Sequence, residues 1–189
     1  MNGFLVHLMR HGIPARPGRL LGQLDEAPLP IGVTRCVAAA DRLDFNHVIS
    51  SDLARALVPA RRIASARGAS DTVDARWREL DFGAWTGLDP AEVEPGAYGR
   101  FWDDPDACAP PEGERWSHLC ARVGEAVLHL HQPSLVVTHG GAMRAALAAL
   151  FHMEHRQVWA FDLPYSCVLS LRLWPDDGMP AAQIVALSA

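Results

Sequence analysis

The sequence predicts an α/β fold, a sheet of about six strands alternating with helices that cover both its faces. Three observations carry this. Short apolar runs stop at turn residues, as at Phe4–Met9 before Arg10-His11-Gly12 and Ser134–Thr138 before His139-Gly140-Gly141. Between such runs lie longer segments with apolar residues at helical spacing, for example Leu53, Ala56, Leu57, Ala60, Ile63 and Ala64. With 189 residues and 49% hydrophobic content, the chain holds enough apolar material for one domain's core.

In order along the chain, Phe4–Met9 reads as a buried strand, and Ile13 to about Pro30 as a Pro- and Gly-rich loop. Gly32–Leu43 reads as a helix and His47–Ser50 as the second strand. Ser51 or Asp52 would cap a helix running to about Arg67, with Pro59 imposing a kink or a late start. Asp71–Asp74 reads as an edge strand. From Gly83 to Glu112 the composition turns to Pro, Gly, acids and aromatics, which suits a partly helical cap. A helix over Glu114–His131, a strand over Ser134–Thr138 and an Ala-rich helix over Ala142–Phe151 follow, then closing strands at Cys167–Leu173 and Gln183–Leu187.

All 17 of the Lys and Arg residues are Arg. That excludes Schiff-base lysines and the phosphate loop that ends in Lys. Against 22 acids the net charge is −5, which disfavours a nucleic-acid partner, so any anion must meet local arginines. The four Cys show no C-x-x-C spacing, and the longest mostly apolar stretch, Ala142–Phe151, is broken by Arg144. Reduced thiols, a cytoplasmic location and no membrane partner are the expectation.

Two apolar strands end in His-Gly, at His11-Gly12 and His139-Gly140. In a parallel sheet the carboxyl ends of strands share one edge, where ligands bind, so both imidazoles would face one pocket. Either could instead merely terminate its strand. Arg10 adjoins the first pair, and Arg55 and Arg144 are expected in the first turns of helices, where a cation opposes the helix dipole. A bound phosphate would resolve that conflict, whereas a solvated surface position is the alternative for Arg55. Glu79 and Asp81 lie in an aromatic, Gly-rich segment where desolvation can keep a carboxyl protonated as a general acid; ion pairing with Arg76 or Arg78 is the alternative.

The segments Leu8-Met9-Arg10-His11-Gly12, Ser50–Ala56, Arg78–Gly87 and Thr138–Gly141 followed by Arg144 together resemble the histidine phosphatase superfamily, of the phosphoglycerate mutase-like fold. The resemblance spans nearly the whole chain. It implies a three-layer α/β/α sandwich with a mostly parallel central sheet, a single domain over 1–189 with 83–112 as a cap-like insertion, and no metal or other cofactor. It also implies that His11 is the phosphorylated nucleophile, that Arg10, Arg55 and His139 hold the phosphoryl oxygens, and that Glu79 is the proton donor.

Gly12-Ile13-Pro14, Gly18–Asp25 and Leu29–Gly32 look like α-ribazole phosphatase-like members, with departures at Ile13, Pro30 and Thr86. The expected reaction is hydrolysis of a small phosphorylated metabolite, with α-ribazole 5′-phosphate as one candidate. Gly140, Arg144, Arg16, Arg19 and Gln23 are candidate substrate contacts. A phosphoglycerate mutase-type phosphotransferase and a non-catalytic phospho-ligand-binding protein are the alternatives, and a homodimer is left open. The pairs His129/His131 and His152/His155 lack a third partner at ligand spacing and read as structural or surface residues. The six Trp read as core and pocket wall.

Overall fold

The computed structural model describes residues 2–189. A six-stranded sheet of order β3-β2-β4-β1-β5-β6 forms its middle layer. The strands are β1 (Phe4–Arg10), β2 (His47–Ser50), β3 (Ser70–Val73), β4 (Ser134–Thr138), β5 (Val168–Trp174) and β6 (Ala181–Ser188). The first four in chain order pair in parallel, whereas β5 and β6 join antiparallel. This is the mostly parallel three-layer sandwich the sequence implies.

The helices are α1 (Pro30–Ala40), α2 (Ala54–Arg67), α3 (Pro95–Asp103), α4 (Trp116–Leu128) and α5 (Gly140–Phe151). Strand alternation sorts the core into two halves. Val6, Leu8 and Val136 point to the layer holding α4 and α5, while Met9, Leu135 and Val137 point to that of α1 and α2. The adjacent strands β1 and β4 therefore send their chains to opposite faces, β1 into α1 and β4 into α5. A crevice opens at the carboxyl ends of such a pair, the topological switch point of an open α/β sheet. Register brings Arg10 opposite Thr138, so His11 and His139 follow side by side.

Local structure departs from expectation at helix starts. Pro30 opens α1, where a residue without an N–H costs nothing. Neither Ser51 nor Asp52 caps α2: Leu53 is its N-cap residue, and the N–H of Ala54 donates to Asp25 Oδ1 at 2.7 Å. A carboxylate from a distant loop thus does the work a local side chain was expected to do. Nor does Pro59 delay α2; it sits buried inside the helix. Helix α5 begins at Gly140 rather than Ala142, which moves Arg144 from the first turn into the second. The stretch 83–112 holds two short 3₁₀ turns, at Gly83–Trp85 and Pro90–Glu92, and helix α3. Among the described residues no helix is long and apolar enough to cross a membrane.

Candidate active site

The turn after β1 is fixed by backbone contact. A Cβ on Gly12 would collide with the backbone of Gly32, so the pair of glycines lets the start of α1 press directly on the residue after His11. His11 is buried, and its Nδ1 lies 2.7 Å from the Gly12 carbonyl oxygen. A carbonyl can only accept, so Nδ1 carries the hydrogen and Nε2 the lone pair. Burial, helped by the Arg55 and Arg10 charges, pushes the His11 pKa well below its ordinary value. The imidazole is neutral and presents a nucleophilic nitrogen.

His139, the N-cap residue of α5, stands edge-on to His11 with ring centroids 5.1 Å apart. It is fully buried, and neither ring nitrogen has a partner among the described residues. Desolvation first, then the charges of Arg55 and the other nearby arginines, lowers its pKa well below the usual histidine value.

Three arginines converge on this pair. Arg55 is 1% exposed, which overturns the solvated alternative, and donates to the carbonyls of Leu24 at 2.7 Å and Gly22 at 2.5 Å. Arg10 donates to the Leu163 carbonyl at 2.6 Å and lies 4.1 Å from the ring centre of Tyr165. Arg144, 9% exposed, donates to the Phe161 carbonyl at 3.2 Å and stacks 3.9 Å over Trp159. None of the three belongs to an ion pair among the described residues, and the Nε of each is buried without a partner. Burying guanidinium charge without a paired carboxylate is costly, so the fold holds a cluster of positive charge that no ion pair neutralises.

Glu79 reaches the same place. Its carboxylate accepts from the Leu80 N–H at 3.0 Å and, across the crevice, from the Gly141 N–H at 3.2 Å. The two glycines after His139 make room for these groups. A Cβ on Gly140 would lie 3.3 Å from Arg144 and 3.4 Å from Arg10, and one on Gly141 would overlap the Glu79 carboxylate. Asp81 instead accepts from the N–H of Gly83. The surface ion pairing offered as the alternative is absent for both acids among the described residues, because Arg76 pairs with Asp74 and Arg78 with Asp52.

A cavity of about 290 Å³ is lined by Arg10, His11, Arg19, Arg55, Glu79, Gly140 and Arg144, while the fully buried His139 is not part of its wall. Of the remaining expected contacts, Arg16 points away and pairs with Glu26 at 2.8 Å. Gln23 accepts from Arg78 at 3.2 Å and does not reach the cavity wall. Tyr165, which no motif marked, packs on His11 with ring centroids 5.5 Å apart. Ser166, held at φ 66°, turns the chain there and donates its N–H to the His11 carbonyl. His155, read as structural from its spacing, also lines the cavity. His47 lies at the opposite, amino end of β2, where its Nδ1 meets the Ser70 hydroxyl at 2.7 Å.

An α/β enzyme with an anion pocket at its switch point, built from a neutral histidine, three arginines free of ion pairs and a carboxylate, has the parts of an acid–base phosphatase. Residues 6–182 match the histidine phosphatase superfamily, branch 1, and the chain belongs to that family. It is 33% identical over 153 residues to a glucosyl-3-phosphoglycerate phosphatase of Mycobacterium tuberculosis, covering 71% of this chain and 69% of that protein. A metal-independent phosphoserine phosphatase of Arabidopsis thaliana is 33% identical over 156 residues, covering 74% of this chain and 66% of the relative. The vanadate complex of mycobacterial glucosyl-3-phosphoglycerate phosphatase superposes with a TM-score of 0.86 at 28% identity, covering 97% of this chain and 98% of that one. An Escherichia coli structure of a candidate α-ribazole-5′-P phosphatase shares the fold at 22% identity, so the likeness does not single out the α-ribazole branch.

Proposed function

We propose that this protein is a phosphomonoesterase that hydrolyses a small phosphorylated metabolite through a phosphohistidine on His11. The observation that carries this reading is the set of three arginines free of ion pairs, Arg55 and Arg144 buried and Arg10 half-buried, around a neutral imidazole whose Nδ1–H is tied to Gly12. The arginines would take the nonbridging oxygens, and His11 Nε2 would attack phosphorus in line with the ester oxygen. The P–O bond breaks as the N–P bond forms, and Glu79 gives its proton to the departing alkoxide. Water then attacks the phosphohistidine, Glu79 takes back a proton, and phosphate leaves with His11 neutral again. Guanidinium groups supply the charge stabilisation, so the scheme uses no metal.

A pure binding protein would need the arginines but neither nucleophile nor acid. A mutase would retain the phosphoryl group on His11 for return to an acceptor. The deciding experiment is turnover of a phosphate-ester panel, including α-ribazole 5′-phosphate, glucosyl-3-phosphoglycerate and 3-phosphoglycerate, by EDTA-treated enzyme. His11→Ala is expected to abolish turnover, and activity near wild type would sink the mechanism. A phosphohistidine that decays in seconds without an acceptor marks a phosphatase, and one that persists until an acceptor is added marks a mutase.

A further inference from the structure

Away from the arginines the cavity changes character. Its wall there is Trp102, Trp116 and Trp159 around His155. Trp102 meets Trp159 edge-on with ring centroids 4.8 Å apart and stacks on His155 at 6.3 Å and 23°, while Trp116 meets His155 edge-on at 5.2 Å. These geometries lock the rings against one another. Trp159 is nevertheless 44% exposed, although one of its faces is covered by the Arg144 guanidinium. That contact joins the aromatic wall directly to the anion site.

The wall also carries one oriented polar group. Trp159 Nε1 donates to His155 Nε2 at 3.2 Å. An indole can only donate, so the neutral imidazole carries its hydrogen on Nδ1. That Nδ1 is buried and has no partner among the described residues. Desolvation and the nearby Arg156 keep His155 below its ordinary pKa, which favours the neutral ring.

This end offers a second anion no free cation, since Arg156, near His155, pairs with Asp103 at 3.3 Å and the carboxylates of Asp104 and Asp106 also act on His155. Of the four arginines lining the cavity, three surround the phosphate position, and Arg19 is engaged by the Gly87 carbonyl at 2.9 Å and Glu92 at 3.3 Å. Asp162 adds a carboxylate to the lining. A second anionic group at this end would lose water without gaining an unoccupied cation.

We infer that Trp102, Trp116, Trp159 and His155 form a subsite for an uncharged, ring-bearing leaving alcohol. The inference rests on the phosphatase reading above and adds the class of ester preferred. It sets this chain apart from phosphatases whose alcohol carries a carboxylate.

Benzyl phosphate, glycerol 3-phosphate and 3-phosphoglycerate test it, because all three are esters of alkanols with similar intrinsic reactivity. The ring is expected to raise kcat/KM about tenfold over glycerol 3-phosphate, with 3-phosphoglycerate lowest. Trp102→Ala should collapse the benzyl-to-glycerol ratio toward one, and Trp102→Phe should retain most of it. Without any variant, benzylphosphonate should inhibit the wild-type enzyme about tenfold more tightly than 3-phosphonopropionate. Equal use of 3-phosphoglycerate, equal inhibition by the two phosphonates, or a ratio unmoved by Trp102→Ala would overturn the subsite. Failure to turn over these three esters and the whole panel above would overturn the phosphatase reading and the subsite with it.

Discussion

Arg122 donates to the carbonyl oxygen of Glu79 at 2.9 Å. The same guanidinium donates to the carbonyls of Arg76 and Arg78, each at 2.8 Å, and forms a two-pronged pair with Glu114 at 2.7 Å on both prongs. One side chain on α4 thus clamps the backbone that carries the proposed acid, and a planar fork of donors is suited to that task. Arg122 is therefore a positioning residue for Glu79.

If so, Arg122→Lys, which keeps the charge but loses the fork, should misplace Glu79 without removing it. Hydrolysis of alkyl phosphates, which need a protonated leaving group, is expected to fall about 10²-fold. Activated aryl phosphates should lose far less. A merely structural role would lower both alike, so the leaving-group dependence of kcat is the measurement.

Gly141→Ala asks the same question from the other side. The added Cβ would overlap the Glu79 carboxylate and force it off the Gly141 N–H. The expected result is a loss of about 10²-fold in kcat on alkyl esters. Alanine is favoured over glycine in a helix by roughly 0.5–1 kcal/mol, so thermal stability should hold or rise. Unfolding scans and kcat on the same preparation check both halves.

Arg55→Ala should weaken inhibition by vanadate or phosphate. A hydrogen bond to a charged group contributes about 1.5–3 kcal/mol, which corresponds to roughly 10- to 150-fold in the inhibition constant. Unchanged inhibition would remove Arg55 from the anion site.

Stability should fall in mild acid. Burial holds the pKa values of His7, His11 and His139 below the ordinary value of 6.5. Below about pH 6.5 the unfolded chain binds protons that the folded chain refuses, so unfolding becomes easier as the pH drops. The contribution of these imidazoles is fully present above that pH and is lost progressively below it. Urea unfolding between about pH 7.5 and 5 measures the slope, which His7→Gln should reduce.

Glu79 shows where the sequence stopped. Composition left Glu79 and Asp81 equal, because both lie in one aromatic, Gly-rich stretch. The backbone path separates them: Glu79 turns into the crevice toward the N–H of Gly141, and Asp81 turns back onto its own loop. Arg55 is similar, since its place opposite the apolar face of α2 left a solvated position open as the alternative. Only the loop around Gly22–Leu24, folded over it, makes it buried.

The aromatic wall is assembled from α3, the first residue of α4 and the segment after α5. His155 and Trp159 stand four residues apart, but no periodicity links that pair to Trp102 or Trp116, and so no sequence pattern could gather all four.

What the sequence alone determined is local: where apolar runs stop, which strands end in His-Gly, and that anion recognition must rest on arginine because there is no lysine. Those properties follow from residue type and short-range spacing, which act before any long-range contact forms. What only the tertiary structure decided is convergence. The switch between β1 and β4 sets His11 beside His139, the fold gathers three arginines without ion pairs, and Asp25 rather than a neighbour starts α2. Each depends on contacts between segments far apart in the chain, whose geometry is fixed by packing against the whole sheet.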